Sequence, residues 1–114
     1  MTQEQENLLL KDLCARLPYG VILNCCEIVS EPLTLISYKG LVNNDYDIDE
    51  VKPYLFPLSS MTEEQNLEYL STCRGGNSYC PTSKTFDWFD KNHFDYRDLI
   101  PMGLAIDATD KNIY

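Results

Sequence analysis

Lysine and arginine are scarce in this 114-residue chain, nine against 18 aspartates and glutamates, for a formal charge of −9 at pH 7. The deficit is even, −5 over residues 1–57 and −4 over residues 58–114, and no window gathers the bases into a cluster. Binding a nucleic-acid duplex or an anionic bilayer needs clustered cations to displace counterions, so neither direct nucleic-acid nor membrane binding is expected. Long apolar runs are also missing. The longest, such as Tyr19 to Leu23, fall far short of the roughly 18 residues a membrane-spanning helix needs. Met1 to Glu6 is polar and acidic, opposite in character to the basic start and apolar stretch of an export signal.

Short paired cysteine spacings are absent as well. Cys14, Cys25, Cys26, Cys73 and Cys80 are odd in number and sit in apolar or turn contexts, the pattern of buried thiols in a reducing compartment, and a cytoplasmic protein is expected. No C-x-x-C pair is available for zinc, and no cofactor or metal is implied. Asp45, Asp47, Asp49 and Glu50 look like the start of a calcium loop. That loop needs glycine sixth and glutamate twelfth, where this chain has Glu50 and Phe56, so they read as solvated acids near a hairpin.

What is present is an ordinary globular composition, 44% hydrophobic and 24% charged. A chain of this length fits a single domain over residues 1–114 and buries about two thirds of its unfolded surface. Thr2 and Gln5 have capping-box spacing, and Leu9, Leu10, Leu13 and Leu17 follow at helical intervals, so residues 3–17 should form a helix stopped by Pro18 and Gly20. Tyr19–Val29 reads as a strand, Leu33–Val42 as a second, and Tyr46–Val51 as a third returning across Asn43-Asn44. Pro53 and Pro57 each lack a ladder donor, so Tyr54-Leu55-Phe56 should be an edge strand or an irregular crossing, one that leaves pairing with a second copy open. A capping box at Thr62 and Gln65 starts a helix over 62–73, a loop follows through Thr82, and a shorter helix runs from Thr82 or Ser83 to about Asn92. The expected architecture is α+β: an N-terminal helix, a small antiparallel sheet of three to four strands with room to curl into a half-barrel, and two C-terminal helices. Residues 1–58 would supply helix plus sheet, and 59–114 a helical half packed on it.

The densest chemistry lies between Phe86 and Arg97, where five of the chain's 13 aromatic residues fall within 12 positions. Aromatic rings beside aspartate and arginine are the residue types of protein–protein hot spots. Trp88, Phe89, His93, Phe94, Tyr96 and Arg97 are therefore the candidate binding residues for a protein partner. The same rings are also what closes the core of a small domain. Two other readings stay open. The acidic charge suits an inhibitor that mimics nucleic acid, and Cys80 with His93, the only histidine, has the residue types of a thiol enzyme.

Three blocks carry a resemblance: Leu8-Leu9-Leu10-Lys11-Asp12-Leu13-Cys14-Ala15-Arg16-Leu17-Pro18-Tyr19-Gly20-Val21, Val51-Lys52-Pro53-Tyr54-Leu55-Phe56-Pro57-Leu58-Ser59-Ser60-Met61-Thr62, and His93-Phe94-Asp95-Tyr96-Arg97-Asp98-Leu99-Ile100. Together they cover about half the chain and resemble an uncharacterised small-protein family of Bacteroidetes genomes and their phages or prophages. The chain departs from that pattern at Phe56 and Asp98, where arginine and glycine are expected. The resemblance implies an intracellular, phage-associated accessory protein and carries no catalytic residues with it. The function expected is a non-enzymatic protein-interaction module.

Overall fold

The computed structural model describes residues 1–25, 29–74 and 80–114. Helix α1 spans Gln3–Arg16 and begins with the expected box: Gln5 N donates to Thr2 Oγ1 at 3.1 Å and Thr2 N to Gln5 Oε1 at 3.0 Å. Such a cap contributes about 0.5–2 kcal/mol by satisfying two orphan donors. Its inner face buries Leu9 and Leu13 completely, together with Asp12 and Arg16. A 3₁₀ turn over Leu17–Tyr19 ends on Gly20, whose φ of 68° is the left-handed conformation glycine adopts without steric cost.

Of the predicted strand Tyr19–Val29 the structure shows β1 (Ile22–Cys25); a second strand, β2 (Val29–Pro32), starts at the expected end and pairs antiparallel with β1 from Ile22 opposite Pro32 to Cys25 opposite Val29. Cys26, expected within that strand, lies outside the described residues. The second predicted strand is instead helix α2, Leu35–Val42. Thr34 caps it with Ser37 standing where glutamate or glutamine usually does: Ser37 N donates to Thr34 Oγ1 at 3.2 Å and Thr34 N to Ser37 Oγ at 2.9 Å. Alternation and helical periodicity cannot be told apart in a short, mostly apolar run, and the local cap decides. Asn44 does take a positive φ, 62°, but in the turn that ends α2 and not in a hairpin. Residues 46–50 form no strand; Asp47 caps a 3₁₀ turn over Ile48–Glu50 by accepting Asp49 N at 3.0 Å.

Strand β3, Val51–Pro57, is central and not an edge. It pairs antiparallel with β1 over Val51–Pro53, then parallel with β5 (Ile106–Asp107) at Tyr54 and Leu55, and parallel with β4 (Phe94–Asp95) at Phe56 and Pro57. The prolines are tolerated because each stands where a pairing ends, Pro53 with β1 and Pro57 with β4. Between them Phe56 N donates to His93 O and Leu55 O accepts from Ala108 N, both at 2.8 Å. The fold is α+β as expected, but its sheet is mixed and open, with no half-barrel, and two of its strands come from the C-terminal half.

Helices α3 (Glu63–Thr72) and α4 (Ser83–Lys91) match their predicted extents. A threonine clasp joins them: Thr82 Oγ1 and Thr85 Oγ1 both donate to Thr72 O, at 2.8 and 3.0 Å, and Thr82 N donates to Thr85 Oγ1 at 2.9 Å. Arg74 and Cys80 close the base of the intervening loop with Arg74 N to Cys80 O at 2.9 Å and Cys80 N to Arg74 O at 3.3 Å. The rest of that loop lies outside the described residues. The core gathers Leu9 and Leu13 of α1, Leu23 of β1, Leu41 of α2, Val51 and Leu55 of β3, and Leu99 and Leu104 beyond β4. Among the described residues no helix is long and apolar enough to cross a membrane.

Candidate functional site

The six predicted binding residues come together on α4, the turn after it, β4 and the two residues that follow β4, but their rings face one another. Phe89 stacks between Tyr69 of α3 and Tyr96, with centroids 5.4 and 5.3 Å away. Trp88 lies nearly parallel to Phe94, 5.4 Å away and inclined by 12°, and its Nε1 donates to Glu68 Oε2 at 3.3 Å. Phe94 continues to Phe56 at 6.2 Å, Phe56 to Tyr114 at 5.7 Å, and Tyr114 stacks on His93 at 3.8 Å. Each such pair adds about 0.5–1.5 kcal/mol beyond its area burial. Phe89 and Phe94 are buried, Trp88, His93, Tyr96 and Arg97 half-buried, and only Phe86 of the segment's rings is exposed.

Beneath the rings lies an ionic cluster in which two arginines balance two aspartates. Arg16 Nε donates to Asp12 Oδ2 at 2.8 Å, one helical turn away, and lies 4.0 Å from Asp90 Oδ1. Arg97 Nε donates to Asp12 Oδ1 at 3.1 Å and its Nη2 to the Tyr96 hydroxyl at 2.9 Å; that hydroxyl in turn donates to Asp90 Oδ1 at 2.9 Å. Both guanidinium groups lie over the Tyr96 ring, Arg97 at 4.6 Å and Arg16 at 5.4 Å. Burial pushes the Asp90 carboxyl up, against the opposing pull of the Tyr96 hydrogen bond and the Arg16 charge. Burial and the hydrogen bond to Asp90 push the Tyr96 phenol up. Asp95, also buried, accepts Leu99 N at 3.0 Å and Ile100 N at 2.9 Å, fixing the turn after β4. Every carboxylate here has a structural partner, and the cluster is a packed ionic core.

His93 has a positive φ of 63°, and its buried Nδ1 has no hydrogen-bond partner among the described residues. Burial first, and then the Arg16 charge, lower its pKa to about 4, so the ring is neutral at pH 7 and a weak base. Its contacts are Tyr114, Phe56 N and Asp90 O, whereas Cys80 is exposed and paired through its backbone with Arg74. Among the described residues no hydrogen bond is seen between the Cys80 and His93 side chains. Among the described residues no group of three histidine, cysteine, aspartate or glutamate side chains is placed to hold a metal ion. Asp12, Asp90 and Asp95 are interior, so three of the 18 acids contribute nothing to a phosphate-like surface.

The outward-facing apolar surface lies elsewhere. Helix α2 is apolar nearly all round, a composition normally found in a buried helix, yet it buries only Gly40 and Leu41. Ile36 is 80% exposed, Leu35 54% and Val42 48%. Tyr46, also exposed, lies so close over Gly40 that a Cβ there would strike its ring. Beside the helix opens a groove of about 370 Å³, at the lower end of the usual range for ligand pockets. Leu23, Leu41 and Val51 supply its apolar lining, Tyr46 also lines it, and Glu31, Asp45, Asp47 and Glu50 line it with exposed carboxylates. Sequence reasoning passed over this region because it took residues 33–51 for two strands. The available signal was Thr34-x-x-Ser37 before an apolar run holding a single charge, Lys39. Comparison with protein-family models, curated proteins and solved structures gives no match to this chain.

Proposed function

We propose that this protein is a non-enzymatic interaction module that docks another protein on α2 and the groove beside it. The observation that carries the reading is the exposure of Leu35, Ile36 and Val42 on a helix whose composition asks for burial. Exposed apolar surface of this kind contributes to association when a partner covers it, at roughly 25 cal/mol per Å² before ordering costs. The C-terminal aromatic segment supports the fold beneath and adds Phe86 as its one exposed ring. On the resemblance of the three sequence blocks, the partner is a host or phage protein met inside a bacterial cell.

The test is affinity capture from lysates of Bacteroidetes cells with and without prophage, using wild type, Ile36→Asp, and Leu67→Asp as a control at another exposed leucine. A captured protein is then purified and its affinity for each variant measured by calorimetry. The reading expects binding by wild type and Leu67→Asp and its loss in Ile36→Asp. Equal affinity for all three would overturn it.

A further inference from the structure

We infer that the groove beside α2 receives a cationic segment of the partner, anchored by one large apolar side chain; this rests on the reading of α2 as the docking face. Among the described residues the lining holds the acidic side chains of Glu31, Asp45, Asp47 and Glu50, with Asp47 also accepting Asp49 N, and no lysine, arginine or histidine. Its apolar part comes from Leu23, Cys25, Pro32, Leu41 and Val51, with the Tyr46 ring beside them. Acid and apolar surface thus face the same opening. An aliphatic or aromatic side chain gains by leaving water there, and flanking lysines or arginines meet the carboxylates.

The charge argues against a second copy as occupant. A symmetric pair joined through this face would bury the same four acids of each copy in one interface, on chains that each carry −9, and charges closer than about 8 Å are little screened at physiological salt. An acidic segment is disfavoured for the same reason. A purely polar cation would leave the apolar lining wet, so the structure assigns both features to the occupant.

Tyr46 makes the arrangement testable without unfolding the protein, because its ring is exposed and rests on α2 only where Gly40 leaves room. The experiment selects a displayed library of random dodecapeptides on the full chain. Selected peptides are synthesised with a fluorophore, and their anisotropy is titrated against wild type, Tyr46→Ala, Ile36→Asp and the double variant Glu31→Gln/Asp45→Asn. Circular dichroism confirms the fold of each variant. The inference expects selected peptides that pair leucine or phenylalanine with adjacent lysine or arginine. It also expects affinity about tenfold or more weaker in the double variant and falling with added salt, and protection of Cys25 from thiol labelling by bound peptide. Neutral or acidic peptides that still need Tyr46 and Ile36 would overturn the cationic occupant and leave the docking face standing. Peptides indifferent to all four substitutions would overturn both.

Discussion

The Arg16 side chain, on the first helix, donates from Nη2 to the carbonyl oxygen of Phe94 at 2.6 Å, joining residues 78 positions apart in sequence. The same guanidinium binds Asp12, so one side chain ties α1 to β4 and to the ionic cluster beneath the aromatic rings. Removing one member of a buried ionic group leaves its partners charged and unpaired.

Arg16→Met is therefore expected to lower stability by about 3–5 kcal/mol in urea unfolding at neutral pH. Asp12→Leu/Arg16→Met, which removes both members of the short pair, should lose less than the sum of the two single variants. Strict additivity would show that the pair acts as two independent contacts.

Stability should fall as pH is lowered toward 4, in part through His93. Its folded pKa, about 4, lies below the unfolded value of about 6.5, so the unfolded chain binds the proton first. The contribution is fully present above pH 6.5 and is lost progressively as pH falls through that window. His93→Asn keeps a residue that tolerates positive φ and removes the titration. Unfolding free energies from urea titrations at pH 7 and pH 4.5 should separate less in the variant than in wild type, by on the order of 1–3 kcal/mol, the lower end being favoured by the ring's partial solvation. An equal difference between the two pH values in variant and wild type would remove His93 as the source.

Trp88 stacks on Phe94 and donates to Glu68, so its fluorescence should be quenched by iodide far less in the folded protein than in urea. Trp88→Ala should cost about 2–4 kcal/mol, since a half-buried ring is removed. If the variant keeps wild-type stability and only loses a partner, Trp88 belongs to an interface.

A helical glycine replaced by alanine ordinarily gains about 0.8–1 kcal/mol. Gly40→Ala should not show that gain, because the added methyl meets the Tyr46 ring. The expected result is an unchanged or lower urea midpoint with shifted Tyr46 ring resonances. A full propensity gain with Tyr46 unmoved would show that the ring does not rest on the helix in solution.

Helices α1, α3 and α4 were legible because each begins with a local signal that needs no distant partner: Thr2 with Gln5, Thr62 with Gln65, and Thr82 before Ser83. Helix α2 was misread because its residues are apolar on both faces, which defeats any argument from period. Strand β3 was misread because each proline was weighed as a missing donor, whereas the places where pairing ends are set by Leu23 on one side and Asp95 on the other. The two-residue strands Phe94–Asp95 and Ile106–Asp107 are too short to leave a pattern. The candidate aromatic residues do gather in space, but the facing of their rings depends on Tyr69, Phe56 and Tyr114, remote in sequence. Asp12 and Arg16 stood four apart, the spacing of a helical ion pair, yet nothing local showed that Phe94 and Asp90 would close over them.

The threonine clasp at Thr72, Thr82 and Thr85, with the Arg74–Cys80 pairing just outside it, insulates the helical hairpin from the length and content of whatever chain connects it. A fluorescent tag or epitope spliced between Arg74 and Cys80 would hang from a closed neck carried by α3 and α4, elements that do not line the groove beside α2, and offers a place to immobilise the protein.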